Sequence, residues 1–371
     1  MAITRITTAN AIPDSSVNNV KMANIVPSKN IIINGDMSQS QRSTSVSSIT
    51  GSGYNTVDRW HIVLSSLGTW TQSQSTDVPT GQGFATSLKF DCTTADASPG
   101  SGDFLFLNQK VEGQNIQYLK KGTSSAESTT LSFWVKSNKT GTYICELDDN
   151  DNTRNINKSY TINSANTWEK KEITFAGDTT GAFDNDNANS LQVIWWLGAG
   201  SNYTSGTLNN AWESTTNANR AVGQVNLADS TSNEWYVTGV QLEAGSVASD
   251  FEFLPHDVNL RRCQRYYYLF CNTNNKEIGS GGYYNASQIF VSVPMIETMR
   301  SAPSLDFTSG TDYYICFRNG SNDAFNSFTL GQADINMVSL YNASEVSGTA
   351  GHAGFFRLNN ASASMAFAAE L

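Results

Sequence analysis

Past residue 29 the chain reads as strand after strand. Apolar residues alternate with polar ones, or form short blocks, in YNTVDRWHIVL (54–64), TSLKFDC (86–92), TTLSFWVKS (129–137) and GTYICELDD (141–149). The same pattern continues in WEKKEITFAG (168–177), LQVIWWLGAG (191–200) and EWYVTGVQLE (234–243). Side chains of a strand point alternately to its two faces, so this period predicts strands with one buried face. Ile31, Ile32 and Ile33 form a further short run that predicts a buried strand and stops at Asn34-Gly35, a strong turn signal. Turn-rich clusters, DNDNT, GDTTG and NDNAN, separate the segments. Many short strands joined by Gly, Asn and Asp turns predict an all-β fold, with a jelly-roll β-sandwich over residues 30–254.

The rhythm breaks at PHDVNLRRCQRYYYLF (255–270). Asp257, after Pro255, reads as an N-cap, and Leu260, Cys263 and Tyr267 fall on one face at helical spacing. This predicts a short helical connector that leads into a strand starting at the tyrosines. Strand and turn resume over 271–371, in SQIFVSVPM, DYYICFRNG, INMVSLYNA, GFFRLNN and SMAFAAEL. That suffices for a smaller C-terminal β-domain. Residues 1–29 are polar, with Pro13 and Pro27 and only isolated Ile, Val and Met. They cannot close a core and read as an extended arm, either docked to a partner or untethered.

Composition narrows the class. Only 15% of the residues are charged, against about 25% in typical domains. Ser, Thr, Asn and Gly fill the gap, and these favour turns and exposed strand faces. The chain, at 371 residues, is long enough for two domains with sizeable cores. A net charge of -10 argues against nucleic acid or an anionic membrane as a partner, since both want a basic surface. No stretch approaches the ~20 apolar residues of a membrane span. The first residues lack the apolar core of a secretory signal, so synthesis inside a cell is expected. Cys92, Cys145, Cys263, Cys271 and Cys316 are irregularly spaced and include no CxxC pair. They read as buried free thiols. His61, His256 and His352 stand in separate segments, and the chain carries no nucleophile elbow, phosphate loop or HExxH. A glycosidase needs only two carboxylates, yet among 33 Asp and Glu nothing singles out a pair.

A series of short motifs carries a resemblance. Asn34-Gly35, Gln41-Arg42, Gly53-Tyr54 and Asp58-Arg59-Trp60 follow one another in order. Later come Val240-Gln241-Leu242-Glu243, Gly245, Phe251-Glu252 and Cys263-Gln264-Arg265-Tyr266-Tyr267, then PMIETMRSAPSL (294–305) and the final AEL. In this order and spacing they resemble a domain widespread in bacteriophage and prophage tail fibres, from about residue 30 onward. The resemblance implies a jelly roll similar to carbohydrate-binding modules, carried on a virion fibre made in the host cytoplasm. Its N-terminal arm, through Ile3, Ile6, Ile12, Val17 and Met22, would dock on other virion proteins of the tail, adaptor or neck. Fibres of this kind are usually homotrimers. Their C-terminal domain, as a trimerising or receptor-binding tip, would meet a host cell-surface glycan or receptor. The chain has no repetitive shaft, which implies a short fibre or tip. A polysaccharide depolymerase fibre and a capsid- or neck-associated decoration protein are the alternatives.

Particular residues follow from these expectations. Sugars lay C–H faces on aromatic rings with a wet rim. Trp195 and Trp196 point to opposite faces of one strand, so one is core and Trp196 is the outward candidate. Tyr203 and Trp212 follow in a polar, Gly-rich loop, and Tyr283 and Tyr284 stand beside Gly281-Gly282. Tyr266, Tyr267 and Tyr268 would leave surplus ring surface on a lone chain, which predicts a domain or subunit interface. Within DRW, Trp60 is expected in the core, with a local ion pair holding a strand end. ELDDNDNTRN (146–155) reads as an Asx-rich hairpin or a cation loop. A structural calcium on Asn34, Asp36 and Glu243 is the metal site that the resemblance implies. No other cofactor is expected.

Overall fold

The computed structural model describes residues 29–371 except 319 and 321. Two compact units emerge. One holds the described residues through Ser38, together with Ser45–Asn55 and Trp60–Leu254. The other holds Gln39–Thr44, Thr56–Arg59 and Pro255–Leu371. The predicted arm, with Ile3, Ile6, Ile12, Val17 and Met22, lies outside the described residues. Among the described residues no helix is long and apolar enough to cross a membrane.

The first unit is a jelly-roll β-sandwich. One sheet runs β1 (Ser45–Ile49), β4 (Thr69–Ser75), β5 (Ser87–Thr94), β13 (Glu234–Ala244), β7 (Thr129–Ser137), β10 (Glu169–Phe175). The other runs β12 (Glu213–Ser214), β9 (Arg154–Ile162), β8 (Gly141–Asp149), β11 (Asn189–Ala199), β6 (Phe104–Glu112), β3 (His61–Ser65), β2 (Gly53–Tyr54). Inward-facing rings fill the space between the sheets. Trp195 on β11 stands 5.5 Å from Trp60 and 5.8 Å from Phe133 on β7, and Phe133 meets Tyr160 on β9 at 5.2 Å. Burying each such ring contributes about 1.5–3 kcal/mol.

Two predicted strands resolve differently. Ile31, Ile32 and Ile33 are buried but form no strand. Their segment is instead stitched to β13. Ile31 N–H donates to the Leu242 carbonyl and Val240 N–H to the Gly35 carbonyl, both at 2.9 Å. The Asn30 amide donates to the Val240 carbonyl at 3.0 Å and accepts from Leu242 N–H at 3.1 Å. Asn34 takes a left-handed conformation, φ 58°. A Cβ on Gly35 would sit 2.0 Å from the Val240 carbonyl, so only glycine permits this approach. Within 54–64, strand β3 begins only at His61. Thr56–Arg59 leaves the sandwich for the second unit, and Arg59 turns with φ 73°.

The second unit carries a three-stranded sheet, β14 (Tyr267–Cys271), β23 (Met365–Ala368), β17 (Ser304–Phe307). It also carries a seven-stranded sheet, β19 (Asp323–Phe325), β18 (Tyr314–Phe317), β22 (Ala353–Leu358), β15 (Glu277–Asn285), β16 (Gln288–Pro294), β21 (Met337–Asn342), β20 (Thr329–Ala333). Ile289, Val291, Val338, Leu340 and Phe356 from the inner face of this sheet join Tyr314, Phe325 and Phe328 in one apolar cluster. A helix spans His256–Gln264, with Pro255 at its N-cap. Asp257 is not the cap, because it already lies in the first turn, where it pairs with Arg261 one turn on.

The captured loops explain the tyrosines. The Arg59 side chain, 1% exposed, pairs with the Glu370 carboxylate, and its guanidinium lies 3.5 Å above the Tyr266 ring. Arg42 reaches Glu370 at 3.3 Å and lies 3.6 Å above the Tyr267 ring. The predicted ion pair at DRW is therefore real but not local, since its partner stands at the far end of the sequence. Gln41 donates to the Tyr267 carbonyl at 2.7 Å and accepts from Leu269 N–H at 3.2 Å. Its amide thus stands in for a neighbouring strand along the edge of β14. Asp58 orients it, accepting from Gln41 N–H at 3.0 Å and Gln41 Nε2 at 2.7 Å. Tyr266 and Tyr267 are buried inside this unit, and Tyr268 packs edge-on against Phe270 at 5.8 Å. The sequence predicts a domain or subunit interface for these rings; Tyr266 and Tyr267 are instead covered by Arg59 and Arg42 of the same unit, and Tyr268 is half-buried.

Two outcomes follow. Glu370→Ala leaves the buried Arg59 cation without its carboxylate, which costs about 3–5 kcal/mol. Hydrogen exchange on β14 and β23 should show that loss; unchanged protection there would refute the pairing. Burial raises the Asp58 carboxyl to about 6, with the Gln41 donors and Arg42 pulling it down and Glu370 pushing it up. The folded value exceeds the ordinary 3.8. Its contribution to stability is therefore full below pH about 4 and lost as pH rises through about 6. Asp58→Asn should flatten the stability–pH curve across that window in urea titrations, while an unaltered slope would place the titration elsewhere.

Candidate functional site

The outer face of the second sandwich sheet is where the sequence places its leading ring candidate. On β11, Trp195 points into the sandwich and Trp196 points out, as alternation requires. Trp196 is nevertheless 0% exposed. Residues after β11 fold back as a roof, and Tyr203, Leu208 and Ala221 pack with Trp196, Ile144 and Ile194. Phe106 lies 5.0 Å and Tyr203 5.4 Å from the Trp196 ring. The indole N–H donates to Glu146 at 2.7 Å. Glu146 also accepts from Asn155 Nδ2 at 2.9 Å and from Arg220 Nε at 2.8 Å. Amides extend this network, Asn219 donating to Asn209 and Asn209 to Asn155, each at 3.0 Å. Burial and the neighbouring Glu146 charge push the Asp148 carboxyl up to about 7, against the pull of Arg220. Trp196 is thus a roofed core residue, not a sugar platform, and Tyr203 is part of the roof.

Trp212 has a different task. Its indole N–H donates to the Ala176 carbonyl at 2.7 Å. The buried Lys121 ammonium sits 5.3 Å from the Trp212 ring and 5.2 Å from that of Phe183. Lys121 pairs with Asp149, and with Asp178 at 3.1 Å, and donates to the Thr180 and Gly181 carbonyls. The cavity beside it measures about 20 Å³, room for one water at most. Trp212 caps an ion cluster there. ELDDNDNTRN forms the β8–β9 hairpin, with Asp149 accepting from Asn152 N–H at 3.1 Å.

The implied calcium residues Asn34, Asp36 and Glu243 all have hydrogen-bond partners within the chain. The Glu243 carboxylate accepts from Ser249 N–H, Ser249 Oγ and Gln241 Nε2 at 2.6–2.8 Å. Asp36 accepts from Ser38 Oγ at 3.1 Å, and the Asn34 carbonyl accepts from the Trp60 indole at 3.1 Å. Among the described residues no group of three or more His, Cys, Asp or Glu is placed to hold a metal.

Tyr118 and Phe253 are exposed singly in the first unit, and four exposed rings gather in the second unit, on the outer face of the seven-stranded sheet. Tyr284 is 74% exposed, Phe355 54%, Phe317 42% and Phe290 36%. Along β16, Ile289, Val291 and Val293 face the core, which leaves Phe290 and Ser292 outward. Register then builds two groups of rings. Phe290 pairs across the strands with Tyr341 on β21, ring to ring at 5.6 Å, and Tyr284 meets Phe290 edge-on at 5.9 Å. Phe355 on β22 pairs with Phe317 on β18, and Arg357 lies 4.3 Å over the Phe317 ring. Between the groups the floor is small: Gly282 is opposite Phe290, and Ser280 is opposite Phe355. Flat rings beside hydroxyls and bare backbone suit the alternately apolar and polar faces of a sugar. Tyr283 takes no part; at 2% exposure it faces the core, and its hydroxyl donates to Asp323. Phe290, Phe317, Tyr341 and Phe355 escape a reading based on loops. For Phe290, Tyr341 and Phe355 the signal is parity, each being an aromatic on the outward phase of an alternating strand, whereas β18 does not alternate and gives no such signal for Phe317.

No family model matches the sequence, and no curated protein matches it either. Among solved structures, the chain is similar over 59% of its length to the enzymatically active domain of tailspike protein 4 of bacteriophage CBA120, at 15% identity and TM-score 0.31. That match spans 22% of the tailspike chain. A CBM4 carbohydrate-binding module is similar over 57% of this chain and 97% of its own, at 12% identity and TM-score 0.29. The module TmCBM61, solved with β-1,4-galactotriose, is similar over 58% and 98%, at 10% identity and TM-score 0.29.

Burial separates the two kinds of ring. Trp196→Ala should cost about 3–5 kcal/mol in thermal or urea unfolding, whereas Tyr284→Ala should stay within about 0.5 kcal/mol. Similar losses for both would contradict the roofed and open surfaces described.

Proposed function

We propose that the protein is a glycan-binding adhesin, a virion fibre or fibre-tip subunit that attaches the particle to a host cell-surface glycan. Its binding face is the outer face of the seven-stranded sheet. One observation carries the reading: Phe290, Tyr341, Phe355 and Phe317 occupy solvent-facing positions on four strands, where nothing in packing calls for rings. The tail-fibre motifs around 34–60 and 240–267 support the virion setting. Weak stacking on each copy becomes firm attachment in a homotrimer, through multivalency. The floor residues Ser280, Gly282 and Ser292 are hydroxyls and bare backbone, which supports holding sugar rather than the paired acids that glycoside hydrolysis needs.

Binding to host-surface polysaccharide, by calorimetry and cell adsorption, tests the proposal. Tyr284→Ala and Phe290→Ala should each weaken binding roughly tenfold, about 1.4 kcal/mol, without release of reducing ends. Light scattering should give three times the 40.3 kDa chain mass. If the substitutions instead split the trimer and leave glycan affinity intact, these rings form a subunit seam and the proposed face is wrong. Reducing ends released by the pure protein would make it a depolymerase.

A further inference from the structure

The helix His256–Gln264 presents a second, chemically different surface. Val258, Arg261, Arg262 and Arg265 recur at the spacing that places residues on one helix face. Together with Glu297 and Thr298 they line a groove of about 440 Å³, within the size range of small-ligand sites. The far wall is fixed to the helix end. Arg300 N–H donates to the Arg265 carbonyl at 2.8 Å, Arg265 Nη1 to the Thr298 carbonyl at 3.4 Å, and Thr298 Oγ1 to Asn336 at 3.0 Å. Basic residues in a last turn also favour the negative helix end. That effect does not explain why three of them share one face opposite a groove.

We infer that this groove binds an oxyanion, the carboxylate or phosphate of an acidic ligand. A guanidinium presents a planar fork of donors that matches either group with two parallel bonds. Arg261 supplies the exposed arm: its side chain is 52% exposed, pairs with Asp257, and stands 3.9 Å from Glu297. An incoming oxyanion would take over the loose Glu297 contact. The chain as a whole carries -10, so its long-range field repels anions. Three guanidiniums against Glu297 in the described lining and Asp257 beside it leave a local excess of positive charge. The inference stands apart from the ring face, which suits neutral sugar.

Calorimetry on the full chain, with inorganic phosphate, D-glucuronate and D-glucose as probes, tests it. One or both anions should bind and glucose should not; the tighter anion identifies phosphate or carboxylate as the source. Arg261→Gln and Arg262→Gln should each weaken anion binding at least tenfold, with thermal melts confirming that both variants fold. Lys170→Gln, on the exposed strand β10, should change nothing. Raising salt from about 0.05 to 0.5 M should weaken binding further. Anions that bind no better than glucose, or that bind both arginine variants as well as the parent, overturn the site.

Discussion

The buried Arg59 guanidinium is the constraint on which the second unit depends. It lies against the Tyr266 ring and is neutralised by Glu370, so three residues remote in sequence must meet to bury one charge. Breaking such a pair costs more than making it contributes, because the remaining ion stays buried. Around it the rest of the unit closes. Ala369 N–H donates to the Tyr266 carbonyl at 2.7 Å, and Arg300 donates to the Ala369 and Glu370 carbonyls at 2.7 and 2.9 Å. Residues 255–371 alone would hold Glu370 and Tyr266 without the cation that joins them. The unit is discontinuous in sequence for that reason, and a boundary drawn at 255 cuts through its anchor.

Gln41 shows the same logic at a sheet edge. An edge strand offers unpaired N–H and C=O groups to any passing strand. On β14 a side-chain amide occupies two of them, and Asp58 fixes the amide's orientation. The carboxyl does so while almost wholly buried, which is why it titrates high. Motif residues that look like candidates for a ligand, Gln41-Arg42 and Asp58-Arg59, are thereby spent on the fold.

Alternation made the β-sandwich legible, since β5, β7, β8, β10, β11 and β13 lie where period-two segments stand in the sequence. It failed where tertiary context overruled local pattern. The 31–33 run is apolar enough for a strand, yet it runs beside β13 on two isolated backbone bonds and the side-chain bonds of Asn30. The VDR stretch alternates, yet Arg59 is pulled away to a partner that no local window can see. Alternation gives Trp196 its outward face but not its burial. The sheet's outer face is polar or apolar by sequence, but whether a distant segment covers it depends on Tyr203, Leu208 and Ala221 folding back. The exposed rings of the seven-stranded sheet escape local pattern for the opposite reason. Attention to Gly-rich loops finds Tyr284, while Phe290 and Phe355 sit inside strands that look like ordinary core.

A comparison inside the molecule bears on why those rings are kept. On β10 the solvent positions carry Lys170, Glu172 and Thr174, the usual covering of a sheet face in water. On β16, β18, β21 and β22 the corresponding positions carry Phe290, Phe317, Tyr341 and Phe355. Both faces belong to one chain in one solvent, so solubility alone would favour the first pattern for both. Rings held in water raise the risk of self-association, which the net charge of -10 opposes. Stability does not require them either, because the inner face of the same sheet already buries Ile289, Val291, Leu340 and Phe356. The proposed glycan contact would account for them. The Ser and Gly floor between the rings favours a partner that is flat, hydroxyl-rich and uncharged over another greasy protein surface, which would leave those polar groups dry.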